Sequence, residues 1–394
     1  MQTWKWLYTP ENLFNWRFVR NVVLKATVLF LVLNVLFALA DPLPFLGQLS
    51  AYNVFFRGRE RLPYGENPSA AYNLSLYQID AMFASHTLAG ADRDKEYRVL
   101  LIGDSSVWGI LLEPRDTLAG QINASNYHTA DGRRVQVYNL GYPTMSLTKD
   151  LVLLDYAMRY QPDLIVWLFT LEAFPQQAQL DTAIVQNNPD LTRHLIHKYE
   201  LDQTIDVSRF VELSAWDQTI IGHRRTLADL LRLQLYGMPW AITGIDQEYR
   251  DDYTPRDIDL SSDTSWHGID EDSFSPDDLA FDVLRAGTLR AEDTPMLLIN
   301  EPMFISSGEN NDIRYNAFYP RWLYDAYRQL LGQQSTQQGW QFLDLWNAIP
   351  DAECYTNSAV HLTPICSDRL ARIVGPAIMQ IANPGTGVSF SPVN

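Results

Sequence analysis

The chain has 394 residues, 46% hydrophobic and 12% aromatic, which is enough apolar material for one large folded domain with additions or for two domains. That composition excludes a disordered chain. A formal net charge of −17 excludes an electrostatic hold on nucleic acid, since phosphates need a cationic surface to displace their counterions, and no basic stripe offsets it.

The first predicted element is a membrane span. Residues 22–40, VVLKATVLFLVLNVLFALA, are interrupted only by Lys25 and Asn34 and come close to the length that crosses a hydrocarbon core. Lys25 lies near one end, where its ammonium can snorkel to the interface. Lys5, Arg17 and Arg20 precede it among Trp4, Trp6, Tyr8, Phe14 and Trp16, a flank suited to a cytoplasmic N-terminus at the headgroups. The expected localisation is a single-pass membrane protein, with residues 1–21 cytoplasmic, 22–40 the anchor and the remaining chain extracytoplasmic. Two other readings stay open. Ala38-Leu39-Ala40 resembles a signal-peptidase site, although the charged flank is long for a secretory signal, and a buried core helix has similar composition.

Residues 41–95 read as a juxtamembrane connector. Pro42, Pro44, the run Arg57-Gly58-Arg59-Glu60-Arg61 and the stretch from Pro63 to Pro68 predict a solvated loop with short helices. From residue 96 a domain begins, running to 384. Apolar runs at 97–102, 135–140, 164–169, 296–300 and 341–345 predict strands, and 117–124, 147–160 and 321–331 predict helices between them. Strand alternating with helix predicts an α/β fold with a central parallel sheet covered on both faces. Residues 175–290 break this rhythm as an aspartate-rich insertion (Asp251, Asp252, Asp257, Asp259). Within it, 227–242 is too short and too charged (Asp229, Arg232) to span a bilayer and predicts an amphipathic helix packed on the domain, with a lid or a membrane-surface contact as alternatives. Thr363 and Pro364 suit the N-cap and first turn of a last helix that carries Leu370, Ile373, Val374, Ala377 and Ile378 on one face. Residues 385–394 read as a tail. Cys354 and Cys366, twelve positions apart, are either a disulfide of an extracytoplasmic domain or two core cysteines, and no metal-ligand cluster surrounds them.

The candidate chemistry lies at strand ends. In an open parallel sheet, ligands collect beyond the carboxyl ends of the strands, where Gly103 to Ser106, Gly141 and Thr170 to Glu172 fall. Gly103 would permit a sharp turn out of the strand, and the serine after Asp104 could present a hydroxyl and an N–H together. Such a hydroxyl needs a base within hydrogen-bond reach and donors for the oxyanion that forms.

Gly103-Asp104-Ser105-Ser106 and Ser358-Ala359-Val360-His361-Leu362-Thr363-Pro364 resemble the first and last sequence blocks of the SGNH/GDSL hydrolase superfamily. Tyr138-Asn139-Leu140-Gly141 resembles the second block, and 161–166 the approach to the third. The resemblance covers residues 96–175 and 295–380. It implies a three-layer α/β/α sandwich of flavodoxin-like type, preceded here by the transmembrane helix. It also implies roles: Ser105 as nucleophile, His361 as general base, and the Ser105 and Gly141 amides as the oxyanion hole, with Gly103 and Asp104 as supporting motif residues. Ser106 reads as the cap of the following helix.

Two positions depart from the family pattern. Glu172 stands where the third block has an asparagine, and an ionised carboxylate accepts hydrogen bonds but cannot donate one to an oxyanion. Ser358 stands where an aspartate precedes the histidine by three residues, with Asn357 before it. Either His361 is oriented by a neutral group, or Glu172, Glu301 or Asp344 supplies the acid. The expected function is a membrane-anchored extracytoplasmic serine esterase or O-acyltransferase. Its expected partners are an acylated glycan or small ester, the membrane and envelope-assembly proteins, and it needs no cofactor or metal. The alternative is a catalytically silent SGNH-like domain that binds glycan or organises an envelope complex.

Overall fold

A computed structural model describes residues 15–50, 53–54, 58–64, 78–203, 207–243 and 256–384. The expectations for 1–14, the region up to Pro68, Asp251, Asp252 and the tail from 385 fall outside the described residues. Five strands, β1 (Glu96–Ile102), β2 (Arg134–Asn139), β3 (Leu164–Phe169), β4 (Met296–Asn300) and β5 (Gln341–Asp344), pair in parallel in the order β2-β1-β3-β4-β5. These are the five predicted runs to within one residue at either end. The order reverses between β1 and β3, which makes that crevice the switch point of a doubly wound sheet.

Besides a single turn at Ala183–Gln186, the helices, in chain order, are α1 (Trp16–Ala40), α2 (Leu43–Gln48), α3 (Ile79–Ser85), α4 (Ser105–Trp108), α5 (Leu118–Ala124), α6 (Leu147–Ala157), α7 (Pro189–Tyr199), α8 (Arg224–Thr243), α9 (Phe281–Arg290), α10 (Arg321–Gln338) and α11 (Pro364–Ala382). Both faces of the sheet are buried, which is why its strands are continuous apolar runs rather than alternating ones. Tyr97, Val99 and Leu101 point with Val135, Val137, Val166 and Leu168 toward α5 and α11. Their neighbours Leu100 and Ile102 point with Ile165, Trp167 and Phe169 toward α3, α6, α9 and α10. The result is a three-layer α/β/α sandwich.

The connector differs from expectation. Far from being solvated, its described residues 58–64 and 78–91 belong to the domain. Leu62, Met82 and Phe83 are fully buried, and Arg59 and Arg61 are 4% and 2% exposed. Arg61 stacks its guanidinium 4.1 Å from the Trp108 ring and donates to the carbonyls of Gly109 (3.1 Å) and Leu112 (2.9 Å). Trp108 in turn donates its indole N–H to Leu62 O at 2.7 Å. A basic run in a Pro-rich stretch reads as surface, yet an arginine whose plane lies on an aromatic ring and whose donors meet carbonyls is stable inside.

α1 is long and apolar enough to cross a membrane, and Asn34 is its one buried residue. The ends of the insertion are tied by an antiparallel bridge between Pro175 and Leu279. α8 covers the predicted amphipathic stretch and extends it by about a turn at its start.

Candidate active site

β1 delivers its last residue, Ile102, to the switch point, and the chain turns at Gly103 into the short helix α4. Gly103 does not have the left-handed backbone that the sharp-turn expectation implied. What it supplies is close approach: a Cβ there would sit 2.8 Å from Leu168 O, and one at Gly141 would sit 2.4 Å from Trp108 N. The helix cap is also corrected. Asp104 is the N-cap, accepting from Ser106 N–H at 2.8 Å, and the Ser106 hydroxyl is turned away to Glu301 Oε2. A carboxylate accepts an N–H more strongly than a hydroxyl does, so the aspartate takes the cap and frees the serine.

Ser105 is thereby held at the first position of α4, 7% exposed, and its Oγ lies 2.8 Å from His361 Nε2. His361 is also 7% exposed, and it comes from a loop closed by the Cys354–Cys366 disulfide. Thr356 N–H donates to His361 O and Thr363 N–H to Cys354 O, both at 2.8 Å, so the loop is a small closed ribbon leading into α11. On the far side of the ring, His361 Nδ1 meets Asn357 Oδ1 at 2.8 Å. With Nδ1–H donated to that amide oxygen, Nε2 carries its lone pair toward the Ser105 hydroxyl, the tautomer a general base needs. Burial lowers the pKa of His361 below the usual imidazole value, and the nearby Asp104 opposes part of that shift. The shift favours the neutral ring, the form that can accept a proton from a hydroxyl.

None of the carboxylates considered for the acid touches His361. Glu172 accepts from His267 Nε2 at 2.6 Å and from Trp266 Nε1 at 3.4 Å. Asp344 holds Arg328 at 2.7 Å and the Asn300 amide at 2.8 Å. Glu301 is engaged with Ser106. Ser358 is half-buried and is not among the partners of His361, so the group that orients the ring is Asn357.

The oxyanion side is asymmetric. Ser105 N–H has no acceptor among the described residues and opens at the start of α4, whereas Gly141 N–H donates to Asn139 Oδ1 at 3.0 Å. Gly141 is thus committed within its own turn in this conformation, against the expectation that it is a free donor. Asn139 uses its amide NH₂ on Val107 O at 2.7 Å and so ties the β2 turn to α4.

Behind Ser105 lies a buried ionisable cluster, of which sequence reading singled out Glu301 but not Lys149 or Asp150. Lys149 is fully buried, and its Nζ donates to Gly103 O (2.9 Å) and Tyr142 O (3.0 Å) while pairing with Asp150 at 2.5 Å. Burial pushes Asp150 up to about 6, with Lys149 and the Trp167 indole N–H pulling the other way. Glu301, 2% exposed, has its pKa raised well above the ordinary glutamate value, by burial first and by the neighbouring Asp104 second, while the Ser106 hydroxyl pulls the other way. The signal for Lys149 was available: it sits in a helix whose neighbours Leu147, Leu151, Val152, Leu153 and Leu154 leave it no polar face to occupy.

A serine just after β1 thus meets a histidine just before the last helix, on a sheet ordered 2-1-3-4-5. The fold is a doubly wound α/β/α sandwich. No protein-family model and no curated protein matches the chain. Among solved structures it is similar to the native M. smegmatis aryl esterase, at 11% identity and a TM-score of 0.34, with 72% of this chain and 99% of that one covered. It is also similar to a lipase/acylhydrolase from Enterococcus faecalis, at 14% identity and a TM-score of 0.33, covering 72% and 95%. A third likeness is to a carbohydrate acetylesterase family member from Sinorhizobium meliloti, at 11% and 0.33, covering 72% and 98%. Likenesses this distant do not bear on substrate.

Proposed function

We propose that this SGNH-like domain is an acyl-transferring serine enzyme that works outside the membrane to which α1 anchors it. Its substrate class is ester-linked acyl groups, acetyl among them, on envelope or secreted glycans, and the acceptor is water or a sugar hydroxyl. The observation that carries the reading is the 2.8 Å contact between Ser105 Oγ and His361 Nε2, with Asn357 on the other ring nitrogen. Ser105 Oγ attacks the ester carbonyl as its proton passes to His361 Nε2. The negative charge on the carbonyl oxygen meets the Ser105 amide at the N-terminus of α4, and the alcohol leaves with the proton from His361. Water or a second hydroxyl then repeats the sequence on the acyl-enzyme.

A glycan substrate is favoured by a groove of about 430 Å³ beside Glu172, where Gln176, Gln203, Asp202, Asp278 and Arg209 surround Trp266. Amides, carboxylates and a guanidinium are groups that pair with sugar hydroxyls. Two observations favour the alternative of a glycan-binding domain without chemistry: Gly141 N–H is already donated to Asn139, and a glutamate occupies the third-block position. A serine-directed fluorophosphonate probe separates the two readings. The active-enzyme reading expects labelling of the wild type and none of Ser105→Ala; equal labelling of both overturns it.

A further inference from the structure

We infer that α8 is a second membrane contact, an interfacial helix lying in the outer acyl–headgroup boundary of the bilayer that α1 crosses. The inference rests on the anchor reading of α1. Two apolar stripes run along α8. One turns inward, with Leu227 and Leu230 half-buried, Leu233 3% exposed and Gly237 buried. The other, Leu231, Leu235, Met238 and Ile242, follows the i, i+4, i+7, i+11 spacing of a single helix face and is 65%, 75%, 45% and 73% exposed. A helix that packs through one face and leaves a second apolar stripe bare needs a second apolar environment.

What covers that stripe follows from where α8 lies. The turn just before it is fastened to α1: Ile221 N–H donates to Asn34 Oδ1 at 3.3 Å, and the His223 ring lies 6.2 Å from the Phe37 ring. Further along, Gln234 Nε2 donates to Leu49 O at 2.8 Å, alongside the segment by which the chain leaves α1. Asn34 lies about 9 Å inside the C-terminal end of α1 by helical rise. If the apolar stretch fills the hydrocarbon core, a segment hydrogen-bonded to Asn34 is already at membrane depth, and interfacial helices sit about 5–10 Å into the same boundary. The Asn34 amide also donates back to Phe30 O at 2.9 Å, so both ends of the one amide in the span are satisfied, one of them by the insertion. Trp216 is 60% exposed on the same approach, and Arg224 and Arg225 are exposed at the start of α8 where phosphates would meet them. Two contacts with one membrane, α1 and α8, would fix the height and tilt of the Ser105 site above the surface, which one helix on a connector cannot do.

The test uses the full chain in lipid nanodiscs. The native cysteines are bridged, so an introduced thiol takes an environment-sensitive fluorophore alone. Leu235→Cys probes α8, Leu29→Cys probes the span, and Leu289→Cys, on the outer face of α9, is the water-facing control. With a nitroxide carried high on the lipid acyl chain, the label at 235 is expected to be quenched several-fold more than the label at 289. With the nitroxide carried deep, the label at 29 is expected to be quenched. Equal shallow quenching at 235 and 289, with position 29 still quenched, overturns the interfacial helix alone. A label at 235 shielded from aqueous iodide yet untouched by lipid nitroxide means a protein covers the stripe, which also overturns it. Loss of quenching at 29 removes the anchor and the inference together.

Discussion

The loops after β3 and β4 each carry a glutamate into the same crevice, and the two could hardly be treated more differently. Glu172 lies in the first turn after β3, with its side chain 17% exposed, and meets His267 from the insertion. Glu301 follows β4 at once, turns under α4 and is sealed away with Ser106. The first carboxyl keeps access to water and pairs with His267, whereas burial and the nearby Asp104 raise the pKa of the second well above the ordinary glutamate value. The lesson is that two carboxyls at equivalent strand ends owe their charge to what packs over them. Glu172, on the loop after β3, instead meets His267 of the insertion, and Glu301 is engaged with Ser106. His361 is left with an amide.

The largest effects belong to the reacting pair itself. Ser105→Ala and His361→Ala should each lower ester turnover by roughly 10³-fold or more, measured with a chromogenic acetate ester. A loss under tenfold in both would detach the crevice from the chemistry.

The buried side of the comparison is tested by stability. Glu301→Ala leaves the Ser106 hydroxyl unpartnered and opens a void, a cost of about 2–3 kcal/mol by urea unfolding. Glu301→Gln keeps the shape without a titrating group and should cost under about 1 kcal/mol at pH 5. The sign of the pH dependence distinguishes the two further. Because the folded-state pKa of Glu301 is raised, the native protein holds a proton that the unfolded chain releases, so stability falls as pH climbs from the ordinary glutamate value toward the folded one. Glu301→Gln removes that decline, which is at most about 1.4 kcal/mol per pH unit. Parallel stability curves for wild type and Glu301→Gln would mean that Glu301 is ionised.

Asn357 tests what His361 loses by having no acid. Asn357→Ala removes one neutral hydrogen bond of about 1–1.5 kcal/mol, so turnover should fall about tenfold. Asn357→Asp places a carboxylate on Nδ1, favours the imidazolium, and should move the acidic limb of the pH–rate profile upward. An unmoved limb would show that the ring does not rest on this side chain.

The exposed side of the comparison carries the smallest effect. Glu172 raises the pKa of His267, so the pair's contribution is fully present below the ordinary histidine value and is lost as pH rises through the raised one. With the His267 side chain 38% exposed, solvent screening holds it to a few tenths of a kcal/mol. Glu172→Gln should remove that pH dependence above the ordinary histidine value of about 6.5, and a drop beyond about 1 kcal/mol would mean Glu172 is built into the core.

By itself the sequence determined the five strands, the last helix, the apolar first helix and the Ser105–His361 pair. Continuous apolar runs, a Thr-Pro helix start and two short blocks are local patterns, and local patterns are written in neighbouring residues. Tertiary structure alone decided the rest. Arg61 reads as surface until Trp108 lies under its guanidinium, and Ser106 reads as a cap until Asp104 takes that place. Glu172, Glu301, Asp344 and Asn357 are equal candidates until one loop, closed by Cys354 and Cys366, sets an amide against Nδ1. Charge state and partnership depend on distance and on excluded water, and both are set by residues tens to hundreds of positions apart.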